Sequence, residues 1–153
     1  MRLHIVCVSK RPSDWVARAS QEYLKRLTGQ LDVRITEIAP AALSNRALSL
    51  DKEASRVRRA MPRKAYTVAL DERGSAWSTR ELASRLDGWR GSHGDVVCLI
   101  GGAAGLAPAL LDEADCTWSL SALTLPHQLV RVILIEQIYR AWSVLNQHPY
   151  HRE

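Results

Sequence analysis

Along this chain the spacing of apolar side chains alternates between the two-residue period of a strand and the three-to-four-residue spacing of a helix. Arg2 to Ser9 alternates into an apolar run and predicts a first strand. Pro12-Ser-Asp14 punctuates, and Trp15, Ala19, Tyr23, Leu24 and Leu27 then share one helical face. Leu31 to Ile38 returns to period two through Leu31, Val33, Ile35 and Ile38, and Pro40 ends it. Ser44 to Ala60 predicts a helix that is basic on one side, with a thin apolar stripe of Leu48, Leu50, Ala54 and Val57. Ala65 to Leu70 predicts a third, more buried strand, followed by a turn at Asp71-Glu-Arg-Gly-Ser75. Ser78-Thr-Arg-Glu81 has the spacing of a capping box, in which hydroxyl and carboxylate satisfy free N–H groups at a helix start. Leu82, Leu86 and Trp89 form that helix's inner face, and Gly91 to Gly94 is expected to stop it. Asp95 to Ile100 is a continuous apolar strand, as needed when both faces are covered. A short helix from about Ala107 to Ala114 carries Pro108 in its first turn, and Cys116 to Leu120 predicts a fifth strand.

The last helix, from about Pro126 to Asn146, is apolar nearly all round and must be covered on both sides. A sheet covers only one, so a second copy of the chain is the expected cover for the other: a homodimer. Strands and helices in strict alternation predict an α/β fold with a mostly parallel sheet and helices on both faces. The 153 residues form one domain spanning 1–153, without repeats, linkers or low-complexity segments.

Composition narrows the class further. A hydrophobic content of 46% beside 24% charged residues is that of a globular domain. The longest apolar run of the last helix, Val132 to Ile135, is too short to span a bilayer, and the N-terminus enters a strand without a signal-peptide pattern. Cys7, Cys98 and Cys116 sit in apolar stretches and read as buried thiols of a reducing compartment, in preference to disulfides or metal ligands. A cytoplasmic protein with no metal site is expected. The net charge of +5 concentrates at Lys10, Arg11, Lys25 and Arg26 and at Arg56, Arg58, Arg59, Arg63 and Lys64. Such clusters serve solubility or a phosphate backbone, and charge alone does not separate the two.

Three stretches carry candidate chemistry. Leu99-Ile-Gly-Gly-Ala-Ala-Gly-Leu106 is a strand running into a glycine loop. It is neither the G-x-G-x-x-G dinucleotide fingerprint nor a phosphate-binding P-loop, so a nicotinamide-dependent oxidoreductase is disfavoured. The loop reads as a tight turn or, since ligands in open α/β sheets bind outside the carboxyl ends of strands, as a ligand loop. Leu70-Asp71 and Leu120-Ser-Ala-Leu-Thr-Leu125 end two other strands. The second is apolar yet a connection, so its backbone groups need partners. A flat heteroaromatic ligand such as adenine is one possibility, and bonding within the loop is the other. The tail, His148-Pro-Tyr-His-Arg-Glu153, packs chemistry into positions that normally fray.

These stretches carry a family resemblance. Leu99-Ile-Gly-Gly-x-x-Gly-Leu106, Trp118-Ser-Leu-Ser-Ala-Leu-Thr-Leu-Pro-His127, Leu129-Val-Arg131, Glu136-Gln-x-Tyr-Arg-Ala-Trp142 and the tail closely resemble the ribosomal RNA large subunit methyltransferase H family, small stand-alone members of the SPOUT superfamily of knotted methyltransferases. Fainter echoes at Pro12-x-Asp-Trp15, Glu22-Tyr-Leu24, Asp51-Lys-Glu53 and Leu70-Asp71 extend it over essentially the whole chain. The resemblance implies a C-terminal deep trefoil knot, which chain-path rules alone would never propose. It also implies a homodimer, and S-adenosylmethionine bent in the knot and held mainly by backbone. The matching cofactor positions are Leu70, Gly101, Leu120, Ser121, Ala122, Leu123, Thr124 and Leu125. The reaction implied is methyl transfer to N3 of a pseudouridine in large-subunit (23S) rRNA on the assembled ribosome. One departure is Ala103-Ala104, where relatives often carry a polar or acidic residue after the paired glycines. It keeps alive the alternative of a non-catalytic ribosome- or RNA-binding module with the same fold.

The N3 atom carries a proton and needs a base, or a stabiliser of the developing anion, before it attacks. His127, Glu136, Arg140, Tyr150, His151 and Arg152 are the candidates. His127 starts the last helix and serves either chemistry or packing. Glu136 and Arg140 sit four apart in the favourable order and read first as a structural pair. The tail supplies the expected catalytic set: Tyr150 to stack on a flipped base, His151 to take or relay the proton, Arg152 to hold phosphate or a base oxygen. In a dimer it can reach the partner's cofactor.

Overall fold

The computed structural model describes residues 1–151. Ten elements alternate: β1 (Arg2–Val8), α1 (Asp14–Leu27), β2 (Asp32–Ile38), α2 (Arg46–Ala60), β3 (Tyr66–Ala76), α3 (Thr79–Ser92), β4 (Asp95–Ile100), α4 (Pro108–Glu113), β5 (Cys116–Ser119) and α5 (His127–Leu145). Alternation within the strands decides the layering. Leu3, Ile5 and Cys7 of β1, with Val96, Cys98 and Ile100 of β4, enter one buried cluster; Val6, Val8, Val97 and Leu99 enter another. Strands apolar on both faces require helices on both. Residues of α1, α3 and α5 close the first cluster, and those of α2 and α4 the second.

The five strands pair in the order β2-β1-β4-β3-β5, every pair parallel. The expected mostly parallel sheet is therefore wholly parallel, and all strand carboxyl ends lie along one edge. β3 departs from the sequence reading. It continues past Leu70 to Ala76, and Leu70 and Ser75 both oppose Trp118, so residues 71–74 bulge out of the ladder. Gly74 makes this possible: a Cβ there would lie 2.8 Å from the backbone of Thr117 and Trp118. The Ser78–Glu81 capping box forms as its spacing predicts, and α3 ends at Ser92, within the Gly91–Gly94 stretch expected to stop it.

α5 packs against α1 and α3. It buries Leu134, Ile135, Ile138, Tyr139 and Ala141, while Leu129, Ile133, Glu136, Arg140 and Val144 turn a half-buried face outward. Its start is tied to the sheet's carboxyl edge. The Ser13 N–H and hydroxyl donate to Gln128 Oε1 at 3.1 and 2.9 Å, and Arg131 Nη1 pairs with Glu37 Oε1 at 2.7 Å. Cys7 and Cys98 are buried free thiols, each pushed up to about 12 by burial. Among the described residues no helix is long and apolar enough to cross a membrane, and no group of three or more His, Cys, Asp or Glu side chains gathers to hold a metal ion.

Candidate active site

At the carboxyl edge the β3 bulge, the glycine loop 101–105, the segment 120–126 and the first turn of α5 enclose a cavity of about 720 Å³. That lies within the range of small-molecule sites. Leu70, Ile100, Trp118, Leu120, Leu125 and Val130 give it apolar walls. Trp118 is held in place by a stack on Trp77, with ring centroids 4.7 Å apart, and the Arg85 guanidinium caps Trp77 at 4.0 Å.

The glycine loop is the tight turn its sequence suggested. It closes on itself through Gly105 N–H to Gly102 O at 3.0 Å, with Gly105 at φ +80°. Its backbone crosses so near Gly101 that a Cβ there would sit 2.4 Å from Gly105 C and 2.6 Å from Leu106 N. The same tight turn forms one wall of the cavity. The apolar loop partly satisfies its own backbone. Ser119 Oγ donates to Ser121 O and Leu123 N–H donates to Ser121 Oγ, both at 2.9 Å, while Thr124 Oγ1 donates to Glu72 Oε2 at 2.8 Å. Leu123 is 73% exposed, an apolar side chain at the rim of an apolar-walled cavity.

Of the residues predicted to hold a cofactor, Leu70, Gly101, Leu120, Ser121, Leu123, Thr124 and Leu125 line this one cavity; Ala122 lies in the same loop, exposed and outside the lining. His127, the first residue of α5, lines it as well. Sequence reasoning passed over Arg46, Glu72, Arg73 and Trp118. Asp71-Glu-Arg73 read as turn residues, and only their place at a strand's carboxyl end hinted at more. Arg73 Nε donates to Asp71 Oδ1 at 3.0 Å and its N–H to the same oxygen at 2.9 Å. The guanidinium holds the Asp71 carboxyl below the usual carboxylate range.

The tail forms a second cluster. The Tyr150 hydroxyl donates to Glu136 Oε1 at 3.0 Å, and Arg140 Nε donates to the same oxygen at 2.8 Å. The Tyr150 ring lies 4.7 Å from Tyr139, and the Arg140 guanidinium 4.7 Å over it. Burial, helped by hydrogen bonding to Tyr23 and Glu136, pushes the Tyr150 phenol well above its ordinary value, so it stays a donor. Glu136 and Arg140 thus form the structural pair expected of them, and the pair docks the tail. His151 Nδ1 is buried without a hydrogen-bond partner among the described residues. No residue between 146 and 151 lines the cavity of its own chain. Arg152 lies outside the described residues.

Comparisons with known proteins identify the family. A family model described as "Predicted SPOUT methyltransferase" matches residues 1–151, which makes the chain a methyltransferase of the SPOUT class. Within that class it belongs to the ribosomal RNA large subunit methyltransferase H family. It is 47% identical over 153 residues to the protein of that name from Polynucleobacter asymbioticus, covering 100% of both chains. It is 48% identical over 155 residues to that from Nitrosococcus oceani, covering 99% of both. The solved structure of "a probable methylase family protein from Haemophilus influenzae Rd KW20" matches with a TM-score of 0.60 at 13% identity, over 99% of this chain and 70% of that one. At that identity it speaks for the fold alone.

Proposed function

We propose that this protein is a homodimeric, cytoplasmic, S-adenosylmethionine-dependent enzyme that methylates N3 of a pseudouridine in large-subunit rRNA on the assembled ribosome. The observation that carries this reading is the cavity at Gly101. Its wall is backbone with no room for a Cβ, its sides are leucines and Trp118, and its rim carries exposed Leu123. Those features fit an adenine nucleoside held by backbone edges and apolar faces. They occur in a chain nearly half identical, end to end, to relatives named as large-subunit rRNA methyltransferases.

The bound cofactor supplies an electrophilic methyl group on a sulfonium. Leu70, Gly101 and residues 120–125 orient it, and alignment is most of what such a displacement needs. The target base must surrender its N3 proton as its nitrogen–methyl bond forms and the sulfur–methyl bond breaks. His151 takes or relays that proton, a role supported by an Nδ1 that has no hydrogen-bond partner among the described residues. Tyr150, a protonated donor docked by Glu136 and Arg140, offers its ring to a flipped base. Arg152 holds phosphate or a base oxygen. Residues 148–151 lie outside the lining of their own chain's cavity, so the cavity the tail serves belongs to the second protomer. The outward face of α5 around Leu129 and Ile133 supports that pairing.

Nucleoside mass spectrometry of large-subunit rRNA from cells lacking the gene tests the proposal. The expected result is loss of one N3-methylpseudouridine, restored by the wild-type gene and not by one encoding His151→Ala. An unchanged nucleoside profile would contradict it.

A further inference from the structure

Four charged side chains line the cavity: Arg46, Asp71, Glu72 and Arg73. Asp71 and Arg73 belong to each other through two short contacts from guanidinium and backbone. The remaining two, one of each sign, are anchored on different walls by neutral partners. Arg46, the first residue of α2, donates from Nη2 to Ala104 O of the glycine loop at 3.2 Å. Glu72, in the β3 bulge, accepts from Thr124 Oγ1 of the apolar loop at 2.8 Å. Each bond uses a fraction of the side chain's capacity, since a guanidinium offers five N–H donors and a carboxylate about four acceptor positions. Both side chains are exposed, so a ligand filling this cavity meets formal charge on its solvent side.

We infer that Arg46 and Glu72 read the zwitterionic α-amino-acid end of the ligand, Arg46 binding its carboxylate and Glu72 its ammonium. The inference rests on the proposal above that the cavity takes S-adenosylmethionine, and adds which residues of this chain hold the end of that molecule that leucines and backbone do not. Two charges of opposite sign, held apart on separate loops, match a group that carries both signs on one carbon. Charge-assisted hydrogen bonds are the strong ones, but both side chains face water, so salt weakens the effect. The pair also joins the loops it reads from: a ligand bonded to both ties the glycine loop and α2 to the β3 bulge and the 120–125 loop.

Isothermal titration calorimetry on the full-length protein tests this with two probes. S-adenosylmethionine carries the amino-acid end; 5′-methylthioadenosine has the same nucleoside and thioether without it. The wild-type protein is expected to bind both, the second more weakly. Glu72→Gln and Arg46→Met should each weaken S-adenosylmethionine by roughly tenfold, as expected for loss of one charged hydrogen bond, and leave methylthioadenosine within about twofold. Thr124→Val removes the anchor of Glu72 and keeps its charge, so S-adenosylmethionine should weaken more than methylthioadenosine. Equal loss of both probes in the Glu72 and Arg46 variants, or no loss, would overturn the inference while leaving the cofactor reading intact; so would selectivity in only one of the two. Wild-type protein that binds neither probe would defeat the cofactor reading, and the inference with it.

Discussion

Gly101 is the position where one methyl group decides the site. Any Cβ there meets the Gly105–Leu106 backbone at 2.4–2.6 Å, and backbone has nowhere to rotate. Gly101→Ala should therefore destabilise the protein by about 2 kcal/mol, the cost of overpacking a close contact, and abolish detectable S-adenosylmethionine binding. Urea denaturation and calorimetry on the same preparation check both. The tight turn was legible in the paired glycines that end an apolar strand, while the cofactor role expected of Gly101 came from the family resemblance. Glu72 and Arg46 were not legible. Asp71-Glu-Arg-Gly-Ser75 has the composition of a turn, and what makes it a bulge is the approach of Gly74 to Thr117 and Trp118, more than forty residues away. Arg46 meets the glycine loop at Ala104, again a contact between distant segments. Local pattern encodes neither.

At the scale of elements, periodicity located all ten strands and helices, because each apolar stripe has a separate cluster to fill. It also placed the end of α3, which stops at Ser92 within the glycine-flanked stretch 91–94, once Trp89 has buried against the first cluster. The tail shows how one element carries another's chemistry. α5 presents Glu136 and Arg140 four residues apart, and Tyr150 bonds to that pair with its hydroxyl and covers Tyr139 with its ring. Tyr150→Phe keeps the ring and loses the bond, so turnover should fall about tenfold, in keeping with one lost hydrogen bond to a charged group. Tyr150→Ala loses both and should cost at least another tenfold, with cofactor affinity in both variants near wild type. Single-turnover methyl transfer, beside calorimetry, separates the two effects.

The whole molecule is a parallel sheet whose carboxyl edge gathers the cavity, and whose last helix turns a half-buried surface outward at Leu129 and Ile133. Ile133→Glu places a charge at the centre of that surface. It should convert dimer to monomer by light scattering and abolish turnover, while the circular dichroism of the fold is retained. A monomer that keeps full activity would contradict a site shared between protomers. The charge network also sets an acid limit. Arg73 depresses Asp71, the Ser78 N–H depresses Glu81, and His4 and then Arg2 depress Asp95. Carboxyls with a folded pKa below the unfolded value, about 4, add stability above that value and lose it as pH falls through the folded one. Stability measured in urea should therefore decline as pH drops below about 5, with no such loss toward alkaline pH from these groups. The most direct test of the account is transfer of labelled methyl from S-adenosylmethionine to ribosomes from cells lacking this gene, with free rRNA alongside. Label in a single pseudouridine of large-subunit rRNA, on intact ribosomes and not on free rRNA, is the predicted result. No label on either substrate from a folded dimer that binds the cofactor would contradict it, and would mark the protein as a ribosome-binding module.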